Sequence, residues 1–379
     1  MSSGQTVTTQ LQLSDVSLRH DLTVFSPPGI FIESGKYPRL RAGILATPQP
    51  SEFTSIYDHP EAWMGLNRDA IVSMRRNLYF FSLPVDARTM RPRYAVDILR
   101  TIALSVSPVA LSVEATTLPP RDLIMRFGSL PSSPEVHADS FEIISKPEVS
   151  KVAEKISGKD IPACEGILRL LDYDYSLEQV TRLLSVGLLG RHQNRRLLPT
   201  SNASRVVADT VSSHVQNMFA DIEPRDQYRI HISRPLGELM VVVSCPGKPA
   251  LDYFRVERYQ GRTRRGFSSS DEEIGASDAR TASYANSAKL SAMQHMWKKK
   301  SGMKITVFHL SNNVRNQILN GWIPRAGVSA ALESDYTELN SYDEMLNVLD
   351  AVLDPPLSVW IEDLQQMKKM TAPSVLSYT

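Results

Sequence analysis

Arg191, His192, Arg195 and Arg196 fall within one short stretch of chain, LLSVGLLGRHQNRRLLPTSNASRVVAD, running from Leu183 to Asp209. A guanidinium presents a planar fork of N–H donors that meets a phosphate or carboxylate through two parallel hydrogen bonds. His192 adds a ring that donates, accepts or moves a proton near neutral pH. No Asp or Glu occurs between Glu178 and Asp209, so the local chain does not neutralise these cations. Gly187 and Gly190 precede them and apolar runs flank them, which describes a glycine-hinged basic loop held between buried elements. Arg205 extends the positive set into the next segment. The pattern suits a phosphate-bearing partner such as nucleic acid. It also suits a solvated Arg-rich turn after a helix, and residue types alone leave both readings open.

Two other groupings carry chemistry. Arg255, Glu257, Arg258, Tyr259, Arg262, Arg264 and Arg265 crowd one segment. Arg258 and Arg262 are candidate contacts to a nucleic-acid backbone, with Tyr259 as a stacking face. The alternative is an exposed strand edge guarded by charge, partly neutralised by Asp271, Glu272 and Glu273. Asp172, Asp174 and Asp209, with Asp221 beyond them, form a candidate acidic site. Such carboxylates hold Mg²⁺ beside phosphates, or simply cap helices. The eight histidines are scattered, and GxSxG, Walker A and GxGxxG motifs are absent. No catalytic residue, metal or cofactor is therefore assigned. Cys164 and Cys245 stand far apart without CxxC spacing, so no zinc site is expected.

The chain of 379 residues is long enough for one large domain or two ordinary ones. Its 42% hydrophobic and 22% charged content is that of a folded protein. A net charge of +1 excludes overall basicity as a route to nucleic acid, so any such binding must be local. No apolar run reaches the ~20 residues of a membrane span. The N-terminus has no basic start followed by an apolar core. These features predict a cytoplasmic protein.

Helical spacing marks Asn67–Phe81, Arg91–Leu104, Ser150–Ser157, Ile161–Asp172, Ser176–Ser185, Ser204–Ala220, Ala282–Lys299 and Tyr342–Leu353. Strand patterns mark Ala103–Leu118, Tyr228–Ser233, Leu236–Ser244, Leu251–Tyr259 and Lys304–Leu310. Gly261–Gly275 reads as a charged, serine-rich loop. Helices and strands mix without a βαβ period, which predicts an α+β fold: a mixed sheet with packed helices, as a single large domain or two intimately packed lobes. The expected organisation is a flexible arm over residues 1–28, a core over 29–335 and a helical C-terminal segment over 336–379.

In order along the chain, FIESGKYPRLRAGILATP (Phe31–Pro48), HPEAWMGLNRDAIVSMRRNLYF (His59–Phe80), IALSVSPVALSVEA (Ile102–Ala115) and LLSVGLLGRHQNRRLLPTS (Leu183–Ser201) resemble segments of the archaeal Nre family. In the last, Ser185, Gly187, Gly190, Arg195, Arg196, Leu197, Pro199, Thr200 and Asp209 fall on the family's pattern. The resemblance covers roughly residues 29–333. It implies a DNA-repair-associated protein that binds DNA or a repair partner through residues 187–205. The chain also departs from the family. It lacks the initial cysteine cluster, and Ser201-Asn202 replaces an Arg-Trp pair. Its C-terminus has no recognisable sliding-clamp motif, because Lys368 and Lys369 follow Gln366 where an aliphatic and two aromatics belong. Those losses favour the alternative: a structural or assembly protein of a larger complex, viral assemblies included, with a related fold.

Overall fold

A computed structural model describes residues 20–33, 35–48, 54–115, 135–220, 227–269, 276–312 and 321–361. The first lobe is a closed five-stranded barrel of β1 (His20–Glu33), β2 (Arg39–Thr47), β3 (Tyr79–Asp86), β4 (Val109–Ala115) and β5 (Glu135–Ile143). Its strand order is β1-β2-β3-β5-β4. The long β1 serves two neighbours, with its first half on β4 and its second half on β2. The register shifts between Phe25 and Gly29, where Pro27 and Pro28 supply no N–H to the ladder. β3 runs parallel to β5, while β4 and β5 are antiparallel.

Two helices join this lobe, α1 (Arg68–Asn77) between β2 and β3, and α2 (Arg93–Leu104) between β3 and β4. Asn67 caps α1 by accepting from the Ala70 N–H at 2.8 Å. The apolar stripe of α2, Ala95, Val96, Leu99 and Ile102, closes the barrel core. Strand order, the parallel β3–β5 pair and a helix linking β3 to β4 are those of an OB-fold barrel. The 54–77 insert partly covers the outer face of β2 and β3. Leu45, Leu78 and Phe80 are buried there with Phe31 and Tyr57 beside them, and Arg75 forms a buried ion pair with Asp58 at 2.9 Å.

Helices α3 (Lys151–Ser157), α4 (Ala163–Asp172), α5 (Leu177–Ser185) and α6 (Thr200–Met218) follow. Ser176 and Gln179 form a reciprocal capping box that starts α5. The second lobe is a six-stranded sheet ordered β11-β6-β7-β10-β8-β9. Its strands are β6 (Tyr228–Ser233), β7 (Leu239–Cys245), β8 (Ala250–Tyr259), β9 (Arg262–Ser268), β10 (Lys304–Ser311) and β11 (Tyr336–Leu339). Helices α7 (Ala279–Lys299) and α8 (Trp322–Glu333) cover one face, and α9 (Tyr342–Val352) and α10 (Leu357–Trp360) the other. β7 lies inside the sheet between covered faces, and every residue of LMVVVSC is buried. One apolar core runs from the barrel through α4, α5 and α6 to the α7 side of the sheet, so the α+β fold consists of two packed lobes.

Three expectations are corrected. Residues 20–28 are not a flexible arm but the first half of β1, held by a full ladder to β4; residues 1–19 lie outside the described residues. Arg262–Ser268 is a strand rather than a loop. Gln260 and Gly261 both take positive φ, the backbone of a tight hairpin turn, and this lets the arginine-rich segment pair with β8. Residues 336–379 are not wholly helical, because Tyr336–Leu339 adds a strand beside β6; residues 362–379 lie outside the described residues. Among the described residues no helix is long and apolar enough to cross a membrane.

The barrel closes around Gly43, where an added Cβ would stand 1.8 Å from the Phe81 carbonyl oxygen. The three nearest atoms are all backbone of β3, so no flexible side chain is there to yield. Gly43→Ala is expected to lower unfolding stability by about 3 kcal/mol, at the upper end of overpacking effects, read by denaturant titration.

Candidate functional site

The basic loop is built by two glycines and laid against the barrel. Gly187 has φ +68°, and a Cβ there would sit 2.8 Å from the Arg196 carbonyl oxygen. Only glycine combines that backbone with that approach. Gly190 also has positive φ, and a single 3-10 turn, His192–Asn194, follows. The returning strand of the loop is stitched on both sides: the Leu198 N–H donates to the Ser185 carbonyl at 2.9 Å, and the Leu197 N–H to the Ala87 carbonyl at 3.3 Å. Ala87 in turn donates to the Pro38 carbonyl at 2.8 Å. At the start of α6 the Thr200 hydroxyl accepts from the Ile32 N–H at 2.9 Å. These bonds bring the loop to the barrel mouth where the β1–β2 turn meets the exit of β3.

The arginines gathered there have different tasks. Arg195 is anchored: its Nε donates to the Gly190 carbonyl at 2.8 Å and its Nη2 to the Lys159 carbonyl at 2.9 Å. Burial lowers its pKa, the charge of Arg100 lowers it further, and Asp160 opposes both. Arg100, from α2, donates to the Val186 and Gly187 carbonyls at 3.2 and 3.4 Å and holds the hinge. Arg191 and Arg196 are exposed. The Arg88 guanidinium first, and that of Arg196 with it, stand beside the Tyr37 hydroxyl and hold it below the ordinary tyrosine pKa. The Arg88 guanidinium also lies 5.3 Å from the centre of the Tyr37 ring, which is 46% exposed. His192 is exposed; its backbone N–H donates to Asp160 at 2.6 Å and its ring lies 3.8 Å from the same carboxylate.

Beside this loop is an open cavity of about 640 Å³. Pro162, Ala163, Leu184, Leu189 and Leu198 make its apolar walls, and Gly190, Arg191, Asn194, Arg195 and Arg196 complete the lining. No carboxylate is among the lining residues. The arrangement offers multidentate phosphate contacts at the rim of an apolar hollow.

The remaining sequence candidates are elsewhere. Arg205 is exposed on the second turn of α6. Arg258 and Arg262 belong to the β8–β9 hairpin, where Arg258 pairs with Asp354 at 3.1 Å and β9 is the outermost strand. Asp172 ends α4, Asp174 takes positive φ in the turn after it, and Asp209 is exposed on α6. Among the described residues no three His, Cys, Asp or Glu side chains gather to hold a metal ion. Tyr37, Arg88 and Arg100 were missed by sequence reasoning because each lies about 90 residues or more from the loop it serves. The KYP and ARTMRPR runs were the faint signal of Tyr37 and Arg88.

A second polar cluster is sealed inside the other lobe. His309 bridges Glu238 and the Tyr253 hydroxyl, both at 2.6 Å, and all three are buried. Burial raises the Tyr253 pKa well above its ordinary value. The network satisfies polar groups that the sheet encloses.

Arg195→Ala is expected to lower stability by about 2 kcal/mol through two lost charged hydrogen bonds to carbonyls, while Arg196→Ala stays within about 0.5 kcal/mol. Denaturant midpoints check this. Because the guanidiniums favour the phenolate, Tyr37 is expected to ionise at lower pH than free tyrosine, and Arg88→Ala to raise that midpoint; ultraviolet titration against Tyr37→Phe reads both.

Comparison with known proteins bears on the same segments. No solved structure matches the chain. It is 24% identical over 366 residues to the DNA repair protein NreB of Archaeoglobus fulgidus, covering 93% of this chain and 91% of the relative. It is 21% identical over 368 residues to the DNA repair protein NreA of Haloferax volcanii, covering 91% and 85%. The family model described as "Archaeal Nre, N-terminal" matches residues 5–263, a span that contains the whole barrel, the basic loop and the residues gathered at its mouth, and the chain therefore belongs to the archaeal Nre family.

Proposed function

We propose that this Nre-family chain serves in DNA repair and binds DNA through the 187–205 loop at the barrel mouth. The observation that carries the reading is a cavity rim with three arginines and an asparagine and without a carboxylate. In a chain whose net charge is only +1, such a local concentration supplies the electrostatic footprint that overall composition does not. Arg88 and Arg100 extend it from the barrel side. The names of the relatives, DNA repair proteins NreA and NreB, give the biological context. Arg191, Arg196 and Arg88 take backbone phosphates, Arg195 and Arg100 keep the loop in shape, and Arg205, exposed on the second turn of α6, takes a further phosphate. His192 is a lesser contact because its ring faces the Asp160 carboxylate at 3.8 Å.

Fluorescence anisotropy of a labelled oligonucleotide across a salt series tests the reading. Phosphate binding weakens with salt, with a slope of about −0.7 to −0.9 in log affinity for each phosphate neutralised. Arg191→Ala combined with Arg196→Ala is expected to flatten the slope by about 1.5 and weaken binding at low salt by at least tenfold. No binding at low salt, or an unchanged slope in the double variant, contradicts it and leaves a repair-partner or assembly role for this surface.

A further inference from the structure

We infer that the cavity beside the loop takes the base of one unpaired nucleotide, while its flanking phosphates sit on Arg191 and Arg196. This rests on the DNA-binding reading and adds the kind of DNA and the part of it that is read.

Three observations carry it. The first is shape. A volume of about 640 Å³ is within the range of small-molecule sites and exceeds what a lone phosphate needs. A purely electrostatic site for backbone requires no hollow.

The second is chemistry. The walls are Pro162, Ala163, Leu184, Leu189 and Leu198, whereas the charges stand together on the loop. A nucleotide has the same division, with a flat, largely apolar π-face at one end and an anion at the other. Asn194 adds an amide able to donate to and accept from a base edge. Tyr37, exposed beside the Arg88 guanidinium, offers a stacking face to the next base.

The third is exclusion. An OB-fold barrel commonly binds oligonucleotides on the outer face of its second and third strands. Here the 54–77 insert and the Leu45, Leu78 and Phe80 cluster fill part of that face. Further along it, Arg41 is engaged by Glu33 and by Glu135, the latter at 2.8 Å. The mouth, with its own cavity, is the open alternative. A base within a duplex reaches such a hollow only by leaving the stack, so an unpaired strand is preferred.

The test compares a single-stranded DNA 12-mer with a strand of equal length and charge whose sugars carry no bases. Wild-type protein is expected to bind the base-bearing strand roughly tenfold more tightly, the effect of one seated and stacked base. Ala163→Phe, which fills the hollow, is expected to bring the base-bearing strand down to the affinity of the abasic one. Wild type also carries its own reporter. Cys164 is exposed beside Ala163 whereas Cys245 is buried, so maleimide alkylation of Cys164 should slow several-fold with the base-bearing strand and not with the abasic one. Equal affinity of wild type for both strands overturns this inference and leaves the phosphate-binding reading standing. Retention of the preference by Ala163→Phe, with Cys164 alkylation unaffected by either strand, places the base elsewhere and also overturns it. Failure of every strand to bind overturns both.

Discussion

The site depends on the seam that presses residues 187–200 against the mouth of the barrel. Gly187 allows the loop to fold back until an added Cβ would stand 2.8 Å from the Arg196 carbonyl oxygen, and no larger residue fits that approach. The returning segment then shares its N–H groups between Ser185 behind it and Ala87 in front. Leu197, fully buried, fills the space under the seam. With these contacts made, Arg195 is anchored on loop carbonyls and Arg191 and Arg196 stand exposed on either side of the turn. Arg195 and Arg100 are spent on loop carbonyls and keep the loop in shape.

Electrostatics and fold therefore divide the work. The near-neutral chain gains a positive surface by gathering arginines from three places, the β3 exit, α2 and the α5–α6 loop. Acids in the neighbourhood serve structure. Asp86 accepts from the Thr89 and Arg88 N–H groups, bonds that hold its own pKa down, and Asp160 accepts from the His192 N–H. The second lobe follows another rule. Its arginine-rich hairpin is an outer strand, and the buried Arg255 is spent on Glu257 and on the Tyr284 ring 5.0 Å away. Similar composition in two segments thus produces a basic rim around a hollow in one, and in the other an outer hairpin whose Arg255 is paired inside while Arg262, Arg264 and Arg265 stay exposed.

Much of this was legible in the sequence. The α3–α6 helices and the β6–β8 strands lie close to where caps and apolar periodicity put them, because Ser150, Ser176 and the continuous VVV of β7 are local signals. The Gly187 and Gly190 hinges were visible for the same reason. What was not legible depends on distant partners. Nothing local reveals that β1 divides its length between β2 and β4, or that β3 pairs in parallel with β5, and the barrel exists only through those pairings. Gln260-Gly261 turned a presumed loop into a strand because its partner, β8, was already in place. Tyr37 and Arg88 joined the site through the same barrel closure.

Hydrogen–deuterium exchange of the full chain, with and without a single-stranded oligonucleotide at low salt, tests the central claim most directly. The account predicts slower exchange confined to the barrel mouth, at residues 35–38, 87–91 and 187–198, with the β8–β9 hairpin unchanged. Protection confined to residues 255–268, or none at the mouth under conditions where the oligonucleotide is bound, would contradict it.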